Sequence, residues 1–139
     1  MRRGREANAG LSGMRFDPES LRKHFDRPEV AAVYLFGSIA EASQHRLSDV
    51  DLAYLGTNRE AEDRLYDDLY EALQRELGEG GFDLVPLNRA PLHLQYAIAT
   101  AGTLLFVRDP IVAEGFGARA IARYLDFKPC RDRYFGTGA

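Results

Sequence analysis

Ala61, Leu65, Leu69, Leu73 and Leu77 recur every four residues, with Tyr66 and Tyr70 beside them. At 3.6 residues per turn these positions form one apolar stripe, and a helix bearing such a stripe must lay it on a hydrophobic surface. The flanking sequence supplies that surface. Val50 to Leu55 before the helix and Phe82 to Leu87 after it are short apolar runs of strand length. Gly56 ends the first run, and Thr57-Asn58-Arg59-Glu60 resembles a capping box that opens the helix. Gly78 closes the helix, and Gly80-Gly81 turns the chain into the second run.

The same alternation extends in both directions. Asp17-Pro18-Glu19 reads as an N-cap, a proline at the first helical position and an acid in the first turn, starting a short helix to about Phe25. Val30 to Phe36 is apolar almost throughout, which suits a strand covered on both faces. Ser38 to Ser43 reads as one or two helical turns and Gln44 to Ser48 as a loop. Pro91 starts another helix that Gly102 stops, and Thr103 to Val107 reads as a fourth strand. Asp109-Pro110 caps a last helix towards Phe127, weakened in the middle by Gly115 and Gly117. Helices alternating with about four strands predict an α/β (α+β) fold, a sheet packed against helices. The short connection between the first two strands predicts that they are antiparallel, and hence that the sheet is mixed.

Residues 1–13 show no periodicity and are rich in Gly, Arg, Asn and Ser, which predicts a disordered basic tail ahead of a single domain over residues 14–139. The chain has 139 residues and a net charge of −3. Arg2, Arg3, Arg5 and Arg15 are concentrated at the start, so the remainder is more acidic still. An acidic body argues against strong nucleic-acid binding, which needs a basic face. No apolar run approaches the roughly 20 residues a bilayer span needs, so no membrane partner is expected. With one cysteine, Cys130, there is no intrachain disulfide and no cysteine metal site, and a reduced, cytoplasmic setting is expected.

Two features sit badly in this apolar pattern. Asp49 and Asp51 open a strand-like run one residue apart, and side chains alternate along a strand, so both point to one face about 6.5–7 Å apart. That face continues with Ala53 and Leu55, and the opposite one carries Val50, Leu52 and Tyr54. Two carboxylates at the mouth of a buried strand repel one another and lose water. Divalent cations offset both costs, and two Mg²⁺ ions about 3.5–4 Å apart fit between carboxylates set this way. Asp83 lies inside the run Phe82-Asp83-Leu84-Val85, with apolar face partners Val85 and Leu87. If that strand neighbours the first, the three acids converge.

The second feature is Gly37-Ser38. Gly37 lets the backbone turn tightly and a ligand approach closely, and Ser38 would open a short helix whose N–H groups and hydroxyl suit a phosphate. By itself a Gly-Ser pair is a turn, and Asp-x-Asp is a common strand-end pair in water. Together, with a third strand acid after an amphipathic helix, they predict a cradle for ATP and two Mg²⁺ ions, and phosphoryl or nucleotidyl transfer as the reaction.

The segments LFGSIA and SDVDLAYL, with the later acid in FDLVPLN, resemble the signature of the DNA polymerase β-like nucleotidyltransferases in their minimal form, MNT. The resemblance covers residues from about 30 to 108. Arg123 to Tyr134, RYLDFKPCRDRY, resembles the tail of MntA-type antitoxins, which act beside HEPN-domain toxins. The resemblance implies the nucleotidyltransferase fold and transfer of AMP from ATP to a tyrosine of a partner HEPN toxin, which silences it. It also implies that Gly37 and Ser38 hold the triphosphate and that Asp49 and Asp51 bind the two ions. Asp83 would bind one ion and help deprotonate the acceptor hydroxyl. Two other functions stay open at this point: transfer to a small molecule such as an aminoglycoside, and neutralisation of a toxin by binding alone. The short stretch after the last strand counts against the first, and three costly acids count against the second.

The remaining polar residues have plainer readings. His24 and His93 lie on helices without ligand-like spacing and read as structural. His45 reads as an exposed loop residue, and Arg46 as either a loop cation that steadies a phosphate or a solvated charge. Tyr66 and Tyr70 read as core, Cys130 as inert, and Arg108 and Arg119 as parts of a partner surface.

Overall fold

The structure, a computed structural model, describes residues 17–36, 50–78 and 81–135, with side chains as far as Phe127. Four strands form one sheet: β1 (Val30–Phe36), β2 (Val50–Gly56), β3 (Phe82–Pro86) and β4 (Thr103–Val107). Their order across the sheet is β3-β2-β1-β4. β1 runs antiparallel to both β2 and β4, whereas β2 and β3 are parallel. The mixed sheet expected from the short first connection is therefore present. The long helix between β2 and β3 supplies the crossover that this parallel pairing needs.

Four α-helices accompany the sheet among the described residues: α1 (Pro18–Arg22), α2 (Arg59–Leu77), α3 (Leu92–Ala101) and α4 (Pro110–Phe135). Asp17 caps α1, its carboxylate accepting from the Glu19 N–H at 3.1 Å, and a 3-10 turn over Lys23–Phe25 continues it. α2 is capped by Asn58 rather than Thr57. The Asn58 side chain accepts from the Ala61 N–H at 2.8 Å, one residue later than the capping box predicts. α2 ends at Gly78, whose φ of +88° is a left-handed conformation that glycine tolerates and other residues do not.

α4 runs to Phe135 rather than ending near Phe127, and it is continuous through Gly115 and Gly117. Burial of Phe116 and Ala120 beside them offsets the cost of these glycines. A Cβ on Gly115 would meet the Arg119 guanidinium at 3.3 Å, and one on Gly117 would touch Ala99 of α3 at 4.0 Å. Tyr96 of α3 stacks on Tyr124 of α4 with ring centres 4.1 Å apart. β3 is likewise one residue shorter than the apolar run predicts, because Leu87 enters a 3-10 turn over Leu87–Arg89.

The alternation of β2 divides two cores. Val50, Leu52 and Tyr54 face a cluster with Val33, Leu35, Leu65, Leu69, Leu73, Phe82 and Leu84. Ala53 and Leu55 face a second cluster with Ala32, Leu87, Ile98, Phe116 and Ala120. The stripe on α2 thus covers one face of the sheet, and α3 and α4 cover the other. Each fully buried leucine contributes roughly 1.5–3 kcal/mol by leaving water. Tyr66 and Tyr70 pack at the border of the first cluster, half-buried, with Tyr70 4.9 Å from Phe82 between ring centres. No helix among the described residues is long and apolar enough to cross a membrane.

Candidate active site

Asp51 sits at the first turn of the pleat in β2, with a neighbour on each side. Phe36, the last residue of β1, is its partner across the antiparallel pair. Asp83 is its partner across the parallel pair. Partners in register on adjacent strands are about 4.8 Å apart and send their side chains to the same face. The parallel ladder starts one residue earlier, with the Val50 N–H donating to the Gly81 carbonyl at 3.1 Å. Asp83 is exposed and Asp51 half-buried. The face they share carries Ala53, Leu55 and Val85 further along, towards α3 and α4. Two carboxylates therefore project from paired positions at one end of an otherwise apolar sheet face.

Gly37, Ser38 and Asp49 lie outside the described residues, as do the short helix and loop expected between β1 and β2, His45, Arg46 and the basic tail. The Cys130 side chain is outside them too. Phe36 leads directly into Gly37, and Asp49 precedes Val50, so the described chain stops on both sides at the strand ends that flank Asp51. Among the described residues, no group of three or more His, Cys, Asp or Glu side chains gathers as a metal site. Asp51 and Asp83 are two of the three expected ligands, and they are hard oxygen donors of the type Mg²⁺ takes.

Other expectations resolve into scaffold. His24 pairs with Glu76 at 2.8 Å, and Ser20 hydrogen-bonds the same carboxylate, tying α1 to the end of α2. These bonds hold the Glu76 carboxyl below the usual range, Ser20 contributing most. His93 is exposed. Arg108 hydrogen-bonds Asp26 and lies 5.8 Å from the centre of the Phe106 ring, so part of its role is to join the end of β4 to the segment after α1.

Glu62 was not singled out by sequence reasoning, and it is fully buried. Its carboxylate accepts from the Gly56 N–H at 3.0 Å, from the Asn88 N–H at 3.0 Å and from the Asn88 side-chain amide at 2.9 Å. The Tyr54 hydroxyl donates to the Glu62 carbonyl at 2.6 Å. Burial pushes the Glu62 carboxyl up, against the lowering effect of these N–H donors, and burial also raises the Tyr54 phenol. The arrangement clamps the end of β2 to the turn after β3 and so holds the register that sets Asp51 beside Asp83. It also explains Gly56: a Cβ there would lie 2.8 Å from the Glu62 Cβ. The signal was present, because Glu62, Tyr66 and Tyr70 share the i, i+4 spacing at the edge of the apolar stripe.

The family model described as polymerase beta nucleotidyltransferase matches residues 19–111. No curated protein matches the chain significantly. Among solved structures, a toxin–antitoxin with AMP-PNP is 27% identical with a TM-score of 0.66, covering 87% of this chain and 97% of that chain. A tri-AMPylated HEPN toxin of Shewanella oneidensis in complex with an MNT antitoxin is 25% identical with a TM-score of 0.59, covering 86% and 92%. A mutant of the MntA–HpeT toxin–antitoxin, with two aspartates two positions apart changed to glutamate, is 25% identical with a TM-score of 0.64, covering 87% and 97%.

Proposed function

The chain belongs to the polymerase beta nucleotidyltransferase family, and from that premise we propose that it is an antitoxin enzyme. Its reaction is transfer of AMP from ATP to a tyrosine of a partner HEPN toxin, which neutralises the toxin. The observation that carries this reading is the register of the parallel pair, which sets Asp51 directly across from Asp83 at the start of both strands. Similar proteins support the chemistry, since one was solved with AMP-PNP and another with a tri-AMPylated HEPN toxin. The aspartates changed in the mutant pair have the same spacing as Asp49 and Asp51.

In this reading the phenol oxygen of the acceptor tyrosine attacks the α-phosphorus of ATP. A new P–O bond forms, the bond from the α-phosphorus to the bridging oxygen breaks, and pyrophosphate leaves. Asp83, exposed at the strand edge, accepts the phenol proton. Gly37 and Ser38 would receive the triphosphate, and Asp49, Asp51 and Asp83 would hold the two Mg²⁺ ions. When bound, Mg²⁺ supplies charge neutralisation for the triphosphate and the departing pyrophosphate. The chain's own part is to orient the acceptor and the α-phosphate in line and to present carboxylates on one face of the sheet. The work is placed in the cytoplasm, where ATP and a toxin partner are both present.

The test is Mg²⁺-dependent transfer of label from ATP to the HEPN partner, with mass spectrometry of the partner for added AMP. Replacing Asp49 and Asp51 together by Asn abolishes the transfer while circular dichroism stays unchanged. A doubly substituted protein that still labelled its partner would sink the assignment.

A further inference from the structure

A concave site opens on the same side of the sheet as Asp51 but at the opposite end. β2 and β3 run in parallel from Asp51 and Asp83 to Gly56 and Pro86, and this site begins beyond their far ends. Gly56 lies five steps along the strand from Asp51, about 16 Å at 3.3 Å per residue. The site is a cavity of about 370 Å³. Its walls come from the start of α2, the turn after β3, α3 and α4. Four arginines line it: Arg59, Arg89, Arg119 and Arg123. None of its lining residues is acidic.

Such a gathering of cations works against the fold unless something else stands opposite. Arg119 and Arg123 are one turn apart on α4, and like charges at that spacing cost a helix about 0.2–0.5 kcal/mol. Asp63 faces two of them: its carboxylate accepts from the Arg89 Nε at 2.6 Å and feels the Arg59 charge as well. That bond also holds the Asp63 carboxyl below its usual range. Among the described residues Arg59, Arg119 and Arg123 form no ion pair. The backbone makes room for the cluster as well. At Gly115 the missing side chain leaves space into which the Arg119 guanidinium packs. Asn88 and Gln95 complete the lining with neutral amides, each donating an N–H into the protein, to Glu62 and to the Leu87 carbonyl.

The volume is that of a small-molecule pocket, and the two walls each carry a pair of guanidiniums. A single phosphate reaches one pair, whereas a ligand with charges spread along it reaches both. We propose that this pocket binds a small polyanion carrying two or more phosphoryl groups, at a site separate from the acidic end of the sheet.

Inorganic triphosphate is the probe, titrated calorimetrically into the full chain in EDTA, which suppresses metal-dependent binding near Asp51 and Asp83. The wild-type chain binds it, and an Asp51→Asn variant binds it equally. An Arg119→Gln, Arg123→Gln double variant binds at least about tenfold more weakly, the loss of one or more charge-assisted hydrogen bonds. Arg59→Gln, on the opposite wall, weakens binding in the same direction. All of these arginines are exposed, and circular dichroism confirms that the variants fold. Absence of binding to the wild type overturns the proposal. So does an unchanged affinity in the arginine variants, loss of affinity in Asp51→Asn, or an equal response to sulfate at matched ionic strength. Because the transfer assay reads Asp49 and Asp51 and this titration reads the arginines without metal, either reading can fail while the other stands.

Discussion

Replacing Asp83 by Asn separates stability from activity, in opposite directions. The carboxylates of Asp51 and Asp83 project from paired positions on adjacent parallel strands, about 4.8 Å apart at the backbone. Because Asp83 is exposed, the repulsion is governed by water: at about 5 Å and a dielectric near 80 it is about 1 kcal/mol. The usual cost of like charges facing one another across strands has the same size, up to ~1 kcal/mol. Asn keeps the shape and removes the charge. In EDTA the Asp83→Asn protein therefore gains about 1 kcal/mol, a rise in melting temperature of roughly 4 °C for a chain of this length. Adding Mg²⁺ raises the melting temperature of the wild type by mass action and leaves the variant nearly unmoved. Transfer of label from ATP falls to background in the variant. Thermal melts followed by circular dichroism, with EDTA and with Mg²⁺, read the first two effects. A variant that melts lower than the wild type in EDTA and responds to Mg²⁺ just as strongly would show that a protein group balances the Asp83 carboxylate. The electrostatic basis of the site would then be wrong.

Two further substitutions probe the scaffold that sets this register. Glu62→Ala strips three N–H donors of their acceptor, including the buried Gly56 N–H, and costs about 2–4 kcal/mol in urea denaturation. The same residue has a pH signature. Burial raises its carboxyl above the ordinary value of 4.5, so between 4.5 and the raised value the folded chain holds the proton more tightly than the unfolded one. Wild-type stability from this group therefore falls as pH rises through that window, and a Glu62→Ala series of melts lacks the component, with Asp63 titrating beside it in both. Leu69→Ala, at a fully buried point of the α2 stripe, costs about 2–5 kcal/mol by the same assay, and a loss under 1 kcal/mol would mean that the helix does not cover the sheet as described.

What could be read in advance follows the range of the interactions. All four strands and the periodic helix fall where the apolar runs predict, because pleat and helix periodicity are local properties. The N-cap moved by one residue since Thr57 and Asn58 are both competent caps. Gly56 and Glu62, 2.8 Å apart at a virtual Cβ, fix where the helix can start. The last helix passed its two glycines because their cost, roughly 0.5–1 kcal/mol each, is offset by burial of Phe116 and Ala120 against the sheet, which no local pattern reveals. The acids Asp51 and Asp83 were conspicuous as charges in apolar strands, and an apolar strand is the background against which a charge stands out. Of the arginines of the far pocket only Arg119 stood out, as part of a partner surface; the others lie on a helix or turn where a solvated arginine is ordinary.

The linear chain, then, determined which residues form strands and helices, which faces are apolar and which acids are out of place. All of that depends on neighbours within a few positions. Only the tertiary structure decided that β3 lies parallel to β2, that Asp51 meets Asp83, that Glu62 holds the two strand ends together and that four separate arginines share one cavity. These are contacts between segments tens of residues apart. They are selected by how whole helices and strands bury their apolar faces against each other, and that choice is not encoded at any single position.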